Sequence, residues 1–497
     1  MADVILAKFE PVADDPKLPP PFGILYLADA LEQAGFSVRL FHSPGNSGAV
    51  ARLVEEVARE KPAWVGFSNF TISPLAAVRK ASVEIRKKFK IPVVWGGIHS
   101  TIFPRETLEH EFVDIVSVGE GEESAVELTK TLLPGRTSSG ELAGIQGIGF
   151  KKDGKPVINP PRRFIQDLDR YSPAWHLLGI EKYLEGGGHS YDQIGSKIAG
   201  DKVAAIVTSR GCPFRCGYCY NLAVNRRTFR AQSPDKVLQE VEYLKSRGVT
   251  ALIFEDDNFF TDRQRGLEII RRIGLPWSCS IRADCITRGG DDFIRELREH
   301  QCFELRIGVE SGSQKVLDLM NKDITVEQVR EAIALCSKHQ IRTLLNFMAG
   351  IPGETWPDVL KSLDLIDELG RTGKYVTVSS VGIFAPWPGT SLSRVAAKMG
   401  FQPPQTLEGW SRYWAQRAKV PPYADRRIKF IGFYRCLIRK EFAAVPFPFL
   451  ARFLRRLALF RWKRRFFSFP VDYYLPAAVL RLLRRIGLSK ISRAMYE

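Results

Sequence analysis

The chain has 497 residues, of which 45% are hydrophobic and 26% are charged. This composition excludes a disordered, a collagen-like or a disulfide-stapled protein, and the length allows two or three separate cores. The 72 lysine and arginine residues outnumber the 55 aspartate and glutamate residues, which gives a formal charge of +17. An excess of this size predicts an acidic partner such as nucleic acid, an anionic membrane or a phosphorylated substrate.

Most of the positive charge lies at the end of the chain. Residues 421–497 hold 18 basic and 4 acidic residues, so the first 420 residues carry a net charge of only +3. Aromatic side chains are interleaved with these cations at 442–453 and 460–467. The pattern is typical of a membrane interface, but it also fits a helical cap whose rings pack on the preceding domain. Nucleic-acid binding is disfavoured, because no base-reading motif accompanies the charge.

Neither a signal peptide nor a transmembrane helix is predicted. The apolar run at residues 4–7 is too short for the apolar region of a signal peptide. The longest uncharged stretch, 375–393, contains two prolines and several small polar residues. We therefore expect a cytoplasmic protein, with the basic tail as a possible peripheral contact on the inner face of the membrane.

Apolar strands alternate with amphipathic helices over the first 133 residues. Strands are predicted at 4–9, 37–41, 63–68, 92–95 and 115–118, and helices at 23–34, 49–60, 74–89 and 123–133. This alternation predicts a doubly wound parallel sheet of the Rossmann-like α/β class, with its ligand beyond the carboxyl ends of the strands. Residues 134–201 are interpreted as a connector with one hairpin, 147–150 and 156–159.

A second βα series begins at residue 203. Strands are predicted at 203–208, 251–255, 277–282, 304–309, 343–348 and 376–384, and helices at 234–247, 262–273, 291–300, 326–339 and 356–370. Six such units predict a partial (β/α)6 TIM-like barrel with its functional groups at the carboxyl ends of the strands. The predicted divisions are a first domain at 1–135, the connector at 136–200, the barrel at 201–395 and a helical basic region at 396–497.

Three of the eight cysteines form the strongest motif in the sequence. Cys212, Cys216 and Cys219 have the spacing C-x3-C-x2-C and directly follow a predicted strand. Three thiolates can hold three irons of a [4Fe-4S] cluster and leave the fourth iron open to a ligand. The alternatives are a zinc site, which needs a fourth cysteine or histidine nearby, and buried structural cysteines. The other five cysteines are interpreted as small core residues.

The cysteine loop resembles the signature of the radical S-adenosylmethionine (SAM) superfamily, in which an aromatic residue, here Tyr218, precedes the third cysteine. Residues at the ends of the later strands extend the resemblance: Glu255, Asp256, Asp257, Arg282, Glu310, Ser311, Gly350 and Glu354. The resemblance implies that they bind S-adenosyl-L-methionine, with carboxylates and hydroxyls for its amino group and ribose and Arg282 for its carboxylate. For any one of them, a helix cap or a solvated turn is the alternative.

The first domain resembles the cobalamin-binding domain that precedes the barrel in one branch of this superfamily. The matching loops contain Pro21, Gly23, Ser68, Thr71, Gly96, Gly97, His99, Gly119, Glu120 and Gly121. The D-x-H-x-x-G motif that supplies a histidine to cobalt in other cobalamin proteins is absent. The resemblance, which covers about residues 3–395, therefore implies cobalamin without a histidine ligand. A flavodoxin-like domain that binds no cofactor is the alternative.

The resemblance implies an enzyme that methylates an unactivated carbon of a lipid-, isoprenoid- or tetrapyrrole-like small molecule. Its cofactors would be a [4Fe-4S] cluster, SAM and cobalamin, with an electron donor such as flavodoxin or ferredoxin. Cyclisation or rearrangement without net methyl transfer is a second hypothesis, and a non-catalytic cobalamin or iron-sulfur sensor is a third. Methylthio transfer is disfavoured, because relatives that perform it carry an N-terminal three-cysteine domain and no cysteine precedes Cys212 here.

Overall fold

The protein contains two predominantly parallel α/β sheets, followed by helices that pack on the second sheet. This computed structural model describes residues 1–11, 18–71, 74–133, 139–184, 202–415, 420–439, 448–470 and 472–474. The predicted α/β class, with a Rossmann-like first region and a partial barrel, is confirmed.

The first sheet has seven strands in the order β2-β1-β3-β4-β5-β6-β7. The strands are β1 (Val4–Glu10), β2 (Val38–Pro44), β3 (Trp64–Ser68), β4 (Val93–Gly96), β5 (Ile115–Ser117), β6 (Ile148–Lys152) and β7 (Lys155–Ile158). The helices are α1 (Phe22–Gln33), α2 (Ser47–Glu60), α3 (Leu75–Phe89), α4 (Ile98–Ile102), α5 (Pro104–Leu108), α6 (Glu122–Leu132) and α7 (Ser139–Leu142). Strands β1 to β5 are parallel, as predicted.

Alternation along the buried strands places helices on both faces of this sheet. In β1, Val4 and Leu6 belong to the core under α1 and α6, whereas Ile5 and Phe9 belong to the core under α2 and α3. Successive side chains of a strand point to opposite faces, so an apolar strand of this kind requires cover on both sides. The doubly wound arrangement follows directly from that pattern.

The predicted hairpin forms and extends the first sheet. Strand β6 pairs with β5 in the antiparallel sense, with Ile115 opposite Phe150, and β7 pairs with β6. The region interpreted as a connector therefore contributes two strands to the first sheet. The short helices α4 and α5 were not predicted, because five residues are too few for a helical period to be recognised.

The second sheet has six parallel strands in the order β15-β14-β13-β12-β11-β8, beside a two-stranded ribbon of β9 and β10. The strands are β8 (Val203–Ile206), β9 (Ser209–Arg210), β10 (Arg230–Ala231), β11 (Ala251–Phe254), β12 (Trp277–Ile281), β13 (Cys302–Glu310), β14 (Arg342–Ala349) and β15 (Val376–Ile383). The helices are α8 (Glu181–Leu184), α9 (Asn221–Val224), α10 (Pro234–Ser246), α11 (Arg263–Ile273), α12 (Ala283–Glu299), α13 (Gln314–Leu319), α14 (Val326–Lys338), α15 (Trp356–Gly370), α16 (Ser391–Lys398), α17 (Leu407–Ala415), α18 (Ile428–Arg439) and α19 (Pro448–Lys463).

Helix α12 begins eight residues before the predicted start at 291. Gly290 lies inside it with φ 68° and ψ −165°, so two helical segments meet at a kink. The glycine pair Gly289-Gly290 is a helix-breaking signal in the sequence, and the prediction placed the helix start after it.

The described part of the basic tail packs on the barrel. The indole of Trp462 donates a hydrogen bond to Asp367 of α15 at 2.7 Å, and Phe467 packs edge-on against Trp356. Arg435 of α18 donates to the carbonyl oxygen of Val378 in β15. In the described residues, no helix is both long enough and apolar enough to cross a membrane. Residues 475–497, also predicted as part of the tail, lie outside the described ranges.

Largely buried ion pairs join the first domain to the β9–β10 ribbon, whose two strands lie on either side of the cysteine loop in the sequence. Glu120, before α6, accepts hydrogen bonds from Arg210 of β9 at 3.0 Å and from Arg230 of β10 at 2.7 Å. Glu122 pairs with Arg210 at 2.6 Å. Only 3% of the Arg230 side chain is exposed, so its charge depends on Glu120 for compensation.

We expect Glu120→Gln to lower the free energy of unfolding by about 3 kcal/mol, because it leaves a buried arginine without its carboxylate. Glu123→Gln is the matched control, because Glu123 is 34% exposed and pairs with the exposed Arg170 and with Arg162, which keeps Glu127 as a second carboxylate. Its loss should cost about 1 kcal/mol or less. Urea and thermal unfolding of the purified chain measure both changes. Equal losses in the two variants would contradict the assigned role of Glu120.

Candidate functional site

A cavity of about 440 Å³ lies between the carboxyl ends of the first sheet and the start of the cysteine loop. It extends inward to Leu6, Trp64 and Leu128, between the sheet and helices α1 and α6. Several residues predicted from the sequence line it: Gly23, Ser68, Gly96, Gly97, Gly119, Glu120, Gly121, Glu255 and Asp257. One space therefore borders both predicted binding regions.

Part of the cavity wall is formed by glycines, because the backbone there has positive φ angles or leaves no room for a Cβ atom. Gly97 and Gly119 have φ values of 85° and 84°, which other residues rarely adopt. A Cβ at Gly97 would lie 2.5 Å from the carbonyl oxygen of Asn69, because the chain after β4 passes directly against the chain after β3. At Gly96 a Cβ would lie 3.5 Å from the nearest atom, which is ordinary contact. Exposed backbone at this wall allows close approach of a large ligand.

Three residues predicted to bind cobalamin do not line this cavity. The carbonyl oxygen of Pro21 accepts hydrogen bonds from backbone amides at the start of α1. Thr71 and His99 are buried, and the Thr71 hydroxyl and His99 Nδ1 have no hydrogen-bond partner among the described residues. His99 instead borders a second cavity, of about 450 Å³. Burial lowers the pKa of its imidazole to about 4, so the ring is neutral at pH 7.

The loop with the three cysteines follows β9 and is held by backbone contacts. Gly211, immediately before Cys212, has φ 81°, and a Cβ there would lie 2.1 Å from the carbonyl oxygen of Thr228. Within the loop, the amide of Gly217 donates to Met320 at 2.7 Å, and its carbonyl accepts from the amide of Leu392 at 3.0 Å. The loop is thus tied to the residue after α13 and to the first turn of α16.

The donor chemistry of the cysteine loop fits an iron-sulfur cluster. Cys212, Cys216 and Cys219 are free thiols within eight residues of one loop. Each thiolate can bind a separate iron of a [4Fe-4S] cluster and leave the fourth iron open to a ligand. In the ranges that the structure describes, no three His, Cys, Asp or Glu side chains form a group that could hold a single metal ion.

Tyr218 belongs to a buried polar triangle. Its hydroxyl donates to Glu310 at 3.1 Å, and the Lys322 ammonium lies 2.9 Å from that hydroxyl and 3.0 Å from Glu310 Oε1. Glu310 has φ 67°, and the pairing of β13 with β14 shifts register beside it. Lys322 was missed in the sequence, because a lysine after a short helix resembles any solvated cation until its burial is known.

The acidic triplet after β11 divides into three environments. Glu255 pairs with Arg306 at 2.9 Å and lines the cavity. Asp256 is buried beneath the ribbon and accepts hydrogen bonds from the hydroxyls of Thr208 and Ser209. Asp257 lines the cavity, and burial raises the pKa of its carboxyl. Only Glu255 and Asp257 are therefore placed to meet a ligand in this space.

The remaining predicted SAM-binding residues have internal partners. The Ser311 hydroxyl is fully buried against that of Ser362 at 3.1 Å. The Glu354 carboxylate accepts from the amides of Gly350 and Ile351 and closes its own loop, and burial raises its pKa to about 7. Arg282 lies under the cysteine loop and is hydrogen-bonded to protein groups.

The other described cysteines are core residues, as predicted. Cys279, Cys285, Cys302 and Cys336 are buried, and each belongs to the main hydrophobic core. Burial raises the pKa of each of these thiols, so they are protonated at pH 7. They contribute packing rather than ligands.

Comparison with known families matches two parts of the chain. Residues 206–366 match the model of the radical SAM superfamily, and residues 12–129 match that of the B12 binding domain. The first match includes the three cysteines and the second includes the glycine-lined loops. The chain therefore has the binding regions of a [4Fe-4S] cluster with SAM and of cobalamin.

Three curated relatives illustrate the range of similarity. A protein of Pyrococcus horikoshii described as an uncharacterized methyltransferase is 28% identical over 381 residues, which cover 75% of this chain and 77% of the relative. The anaerobic magnesium-protoporphyrin IX monomethyl ester cyclase of Rubrivivax gelatinosus is 28% identical over 75% of this chain, but only 65% of that protein is covered. The hopanoid C-3 methylase of Methylococcus capsulatus is 26% identical, with 66% of this chain and 61% of the methylase covered.

Solved structures have the same fold. The radical SAM methyltransferase TsrM of Kitasatospora setae matches with a TM-score of 0.63 and 20% identity, over 80% of this chain and 76% of TsrM. The cobalamin-dependent SAM radical enzyme OxsB matches with a TM-score of 0.70 and 16% identity, over 98% of this chain and 75% of OxsB. These likenesses confirm the predicted architecture of the chain.

We expect Gly97→Ala to destabilise the first domain by roughly 1–3 kcal/mol, because alanine is strained at positive φ and its Cβ meets the Asn69 backbone. The variant should also bind corrinoid more weakly, because the loop after β3 or the loop after β4 must move at the cavity wall. Gly96→Ala is the matched control and should change stability by about 1 kcal/mol or less. Thermal unfolding and equilibrium dialysis with hydroxocobalamin measure both effects. Unchanged stability of Gly97→Ala would contradict the close approach of the two loops.

Proposed function

We propose that this chain, which belongs to the radical SAM superfamily and carries a B12-binding domain, is a cobalamin-dependent methyltransferase that acts on a carbon atom of an apolar small molecule. One observation carries the proposal: a single cavity borders both the glycine-lined loops of the first sheet and Gly211, Tyr220 and Asp257 around the cysteine loop. A methyl group on one cofactor and a radical generated at the other could reach one substrate only in such a shared space.

Different groups of residues would bind the three cofactors. Cys212, Cys216 and Cys219 would hold the cluster, and the Tyr218–Glu310–Lys322 triangle would offer polar groups to SAM. The loops at Ser68, Gly96–Gly97 and Gly119 would hold the corrinoid. When bound, these cofactors supply a 5′-deoxyadenosyl radical and a transferable methyl group. The protein orients the substrate and excludes water.

Aromatic packing beside the cavity supports a flat, apolar substrate. Tyr220 lines the cavity, and behind it Phe70 and Trp387 complete a three-ring cluster with centroid separations of 5.4–6.4 Å. The substrates named for two of the relatives, a magnesium protoporphyrin ester and a hopanoid, are also large and mostly apolar. We infer a tetrapyrrole-, isoprenoid- or lipid-like substrate.

Cyclisation without net methyl transfer is the second candidate function. Relatives named as magnesium-protoporphyrin IX monomethyl ester cyclases favour it, since they match this chain over two thirds or more of its length. The mass of the product separates the two functions. A gain of one CH2 unit supports methylation, whereas consumption of the substrate without that gain contradicts it.

We expect Cys216→Ala to abolish both iron loading as a [4Fe-4S] cluster and formation of 5′-deoxyadenosine, while corrinoid binding remains. Cys279→Ala removes a buried core thiol and is the matched control, which should retain cluster and turnover. The measurements are anaerobic reconstitution, iron analysis, absorption spectra and mass spectrometry of the products. If the loaded wild-type chain forms no 5′-deoxyadenosine even with cell extract as a source of substrate, the enzymatic proposal fails and a sensor is favoured.

An external reductant is part of the proposal, because reductive cleavage of SAM consumes one electron. We infer a small acidic redox protein such as a flavodoxin or ferredoxin. Arg215, Arg226 and Arg227 are exposed at the cysteine loop. Arg227 donates to the carbonyl oxygen of Pro213, and Arg215 pairs with Asp323. A positive surface at this place suits electrostatic steering of an acidic donor.

Contact with an anionic membrane is proposed for the outer face of the tail. The exposed phenylalanines of this face are 44–81% exposed: Phe453, Phe460, Phe466 and Phe469. Exposed cations lie among them: Arg452, Arg456, Lys463 and Arg464. Insertion of the rings into the headgroup region and attraction of the cations to anionic lipids would both contribute to membrane binding. The contact would bring the enzyme to an apolar substrate.

We expect the double change Phe453→Ser and Phe460→Ser to weaken binding to phosphatidylglycerol vesicles by about tenfold, since two half-exposed rings lose their insertion. Val83→Ser with Met399→Ser alters two similarly exposed apolar residues elsewhere and serves as the control. Vesicle flotation at low and high salt measures the effect. Equal binding by both double variants would assign the tail to packing on the barrel alone.

A further inference from the structure

Arg282 is a buried cation directly beneath the cysteine loop. It follows β12, and only 7% of the residue is exposed. One terminal nitrogen lies 3.8 Å from the sulfur of Cys216, and the guanidinium carbon lies 3.7 Å from the ring centre of Phe214, inside the same loop. The side chain thus contacts both a proposed cluster ligand and the residue two positions before it.

Other hydrogen bonds fix the orientation of this guanidinium. Its Nε donates to Asp284 at 2.8 Å, and its second terminal nitrogen donates to the carbonyl oxygens of Lys322 and Asp323 at 2.7 and 3.2 Å. A planar guanidinium with three donors in use has little freedom to turn toward another ligand. The role expected from the sequence, binding the SAM carboxylate, would require several of these bonds to break.

We propose that Arg282 is a positioning residue that sets the reduction potential of the cluster by placing a buried positive charge and an N–H donor at Cys216. The inference rests on the proposed function, because it assumes that the three cysteines hold a [4Fe-4S] cluster. It goes beyond that function by assigning the electrostatic control of the cluster to one side chain.

The sign of the effect follows from charge. Reduction adds one electron, taken from an external reductant, to a cluster made anionic by three thiolates. A nearby cation and a hydrogen bond to sulfur stabilise the added charge, so they raise the potential. Asp284 opposes this effect, since its carboxylate pairs with Arg282. Asp284 also accepts from the exposed Arg288 at 3.0 Å, so it is shared between two cations.

Paired variants test the proposal by moving the potential in opposite directions. In Arg282→Gln the ratio of reduced to oxidised cluster at a fixed potential should fall by about tenfold, which for one electron corresponds to about 59 mV. Asp284→Asn should raise that ratio, because the arginine charge loses its counterion. Arg282→Lys, which keeps the charge but not the planar fork, should lie between Arg282→Gln and the wild type. Arg288→Gln, at the exposed side of Asp284, is the control and should move the potential least.

The measurement is a redox titration of the reconstituted protein without substrate, followed by electron paramagnetic resonance and absorption spectra, with iron content determined for each variant. Opposite shifts in Arg282→Gln and Asp284→Asn at equal cluster loading support the proposal, since a merely structural defect would not reverse sign. Unchanged potentials, or shifts of the same sign, overturn it. If Arg282→Gln does not hold a cluster, the potentials of Asp284→Asn and Arg282→Lys decide between the outcomes: a rise in the first and a fall in the second support the proposal. A wild-type protein that loads no cluster contradicts the proposed function instead.

Discussion

The position of the cysteine loop depends on a buried set of charges at the boundary between the two domains. Arg210 and Arg230 lie directly opposite each other on the β9–β10 ribbon, an arrangement in which like charges repel. The carboxylate of Glu120 accepts hydrogen bonds from both and removes this repulsion. Cys212 comes two residues after Arg210, so this contact with the first domain lies directly beside the start of the cysteine loop. Glu120 and Arg210 also line the cavity shared by the two domains.

The same charges specify one arrangement of the domains. Burying an arginine and a carboxylate costs desolvation energy, which the pair offsets only when its geometry is kept. Tyr26 of the first domain adds to this geometry, since its ring lies under Arg210 and its hydroxyl donates to the carbonyl oxygen of Val207 at 3.1 Å. If the boundary were purely apolar, the two domains could shift against each other at little cost in free energy. Here a shift of the β9–β10 ribbon away from Glu120 would leave Arg230 charged and unpaired. The network therefore fixes orientation more than it adds stability.

Local patterns in the sequence account for what was predicted and for what was missed. The βα elements follow from apolar periodicity, and the three cysteines proposed as cluster ligands lie within eight residues of sequence, so both are visible in short segments of the chain. Glu120 was predicted as a cofactor contact because of its Gly-rich loop, yet its carboxylate faces arginines 90 and 110 residues further along the chain. Lys322 likewise becomes part of the site through its hydrogen bond to Tyr218, which lies 104 residues earlier in the chain. Contacts between residues so far apart in the sequence depend on the tertiary fold, so they cannot be predicted from short segments of the chain.

The large net charge and the electrostatics of the site are separate properties of the molecule. Exposed cations of α19 lie in solvent, where salt screens their field over about 8 Å at physiological ionic strength. Two cations beside the cysteine loop are instead buried, and each has a carboxylate: Arg282 pairs with Asp284, and Lys322 with Glu310. In a region of low dielectric the nearest charge dominates, and little salt enters to screen it. The 3.8 Å between Arg282 and the Cys216 sulfur therefore matters more to the cluster than the many charges of the tail. Association with a surface and the redox chemistry can consequently change independently of each other.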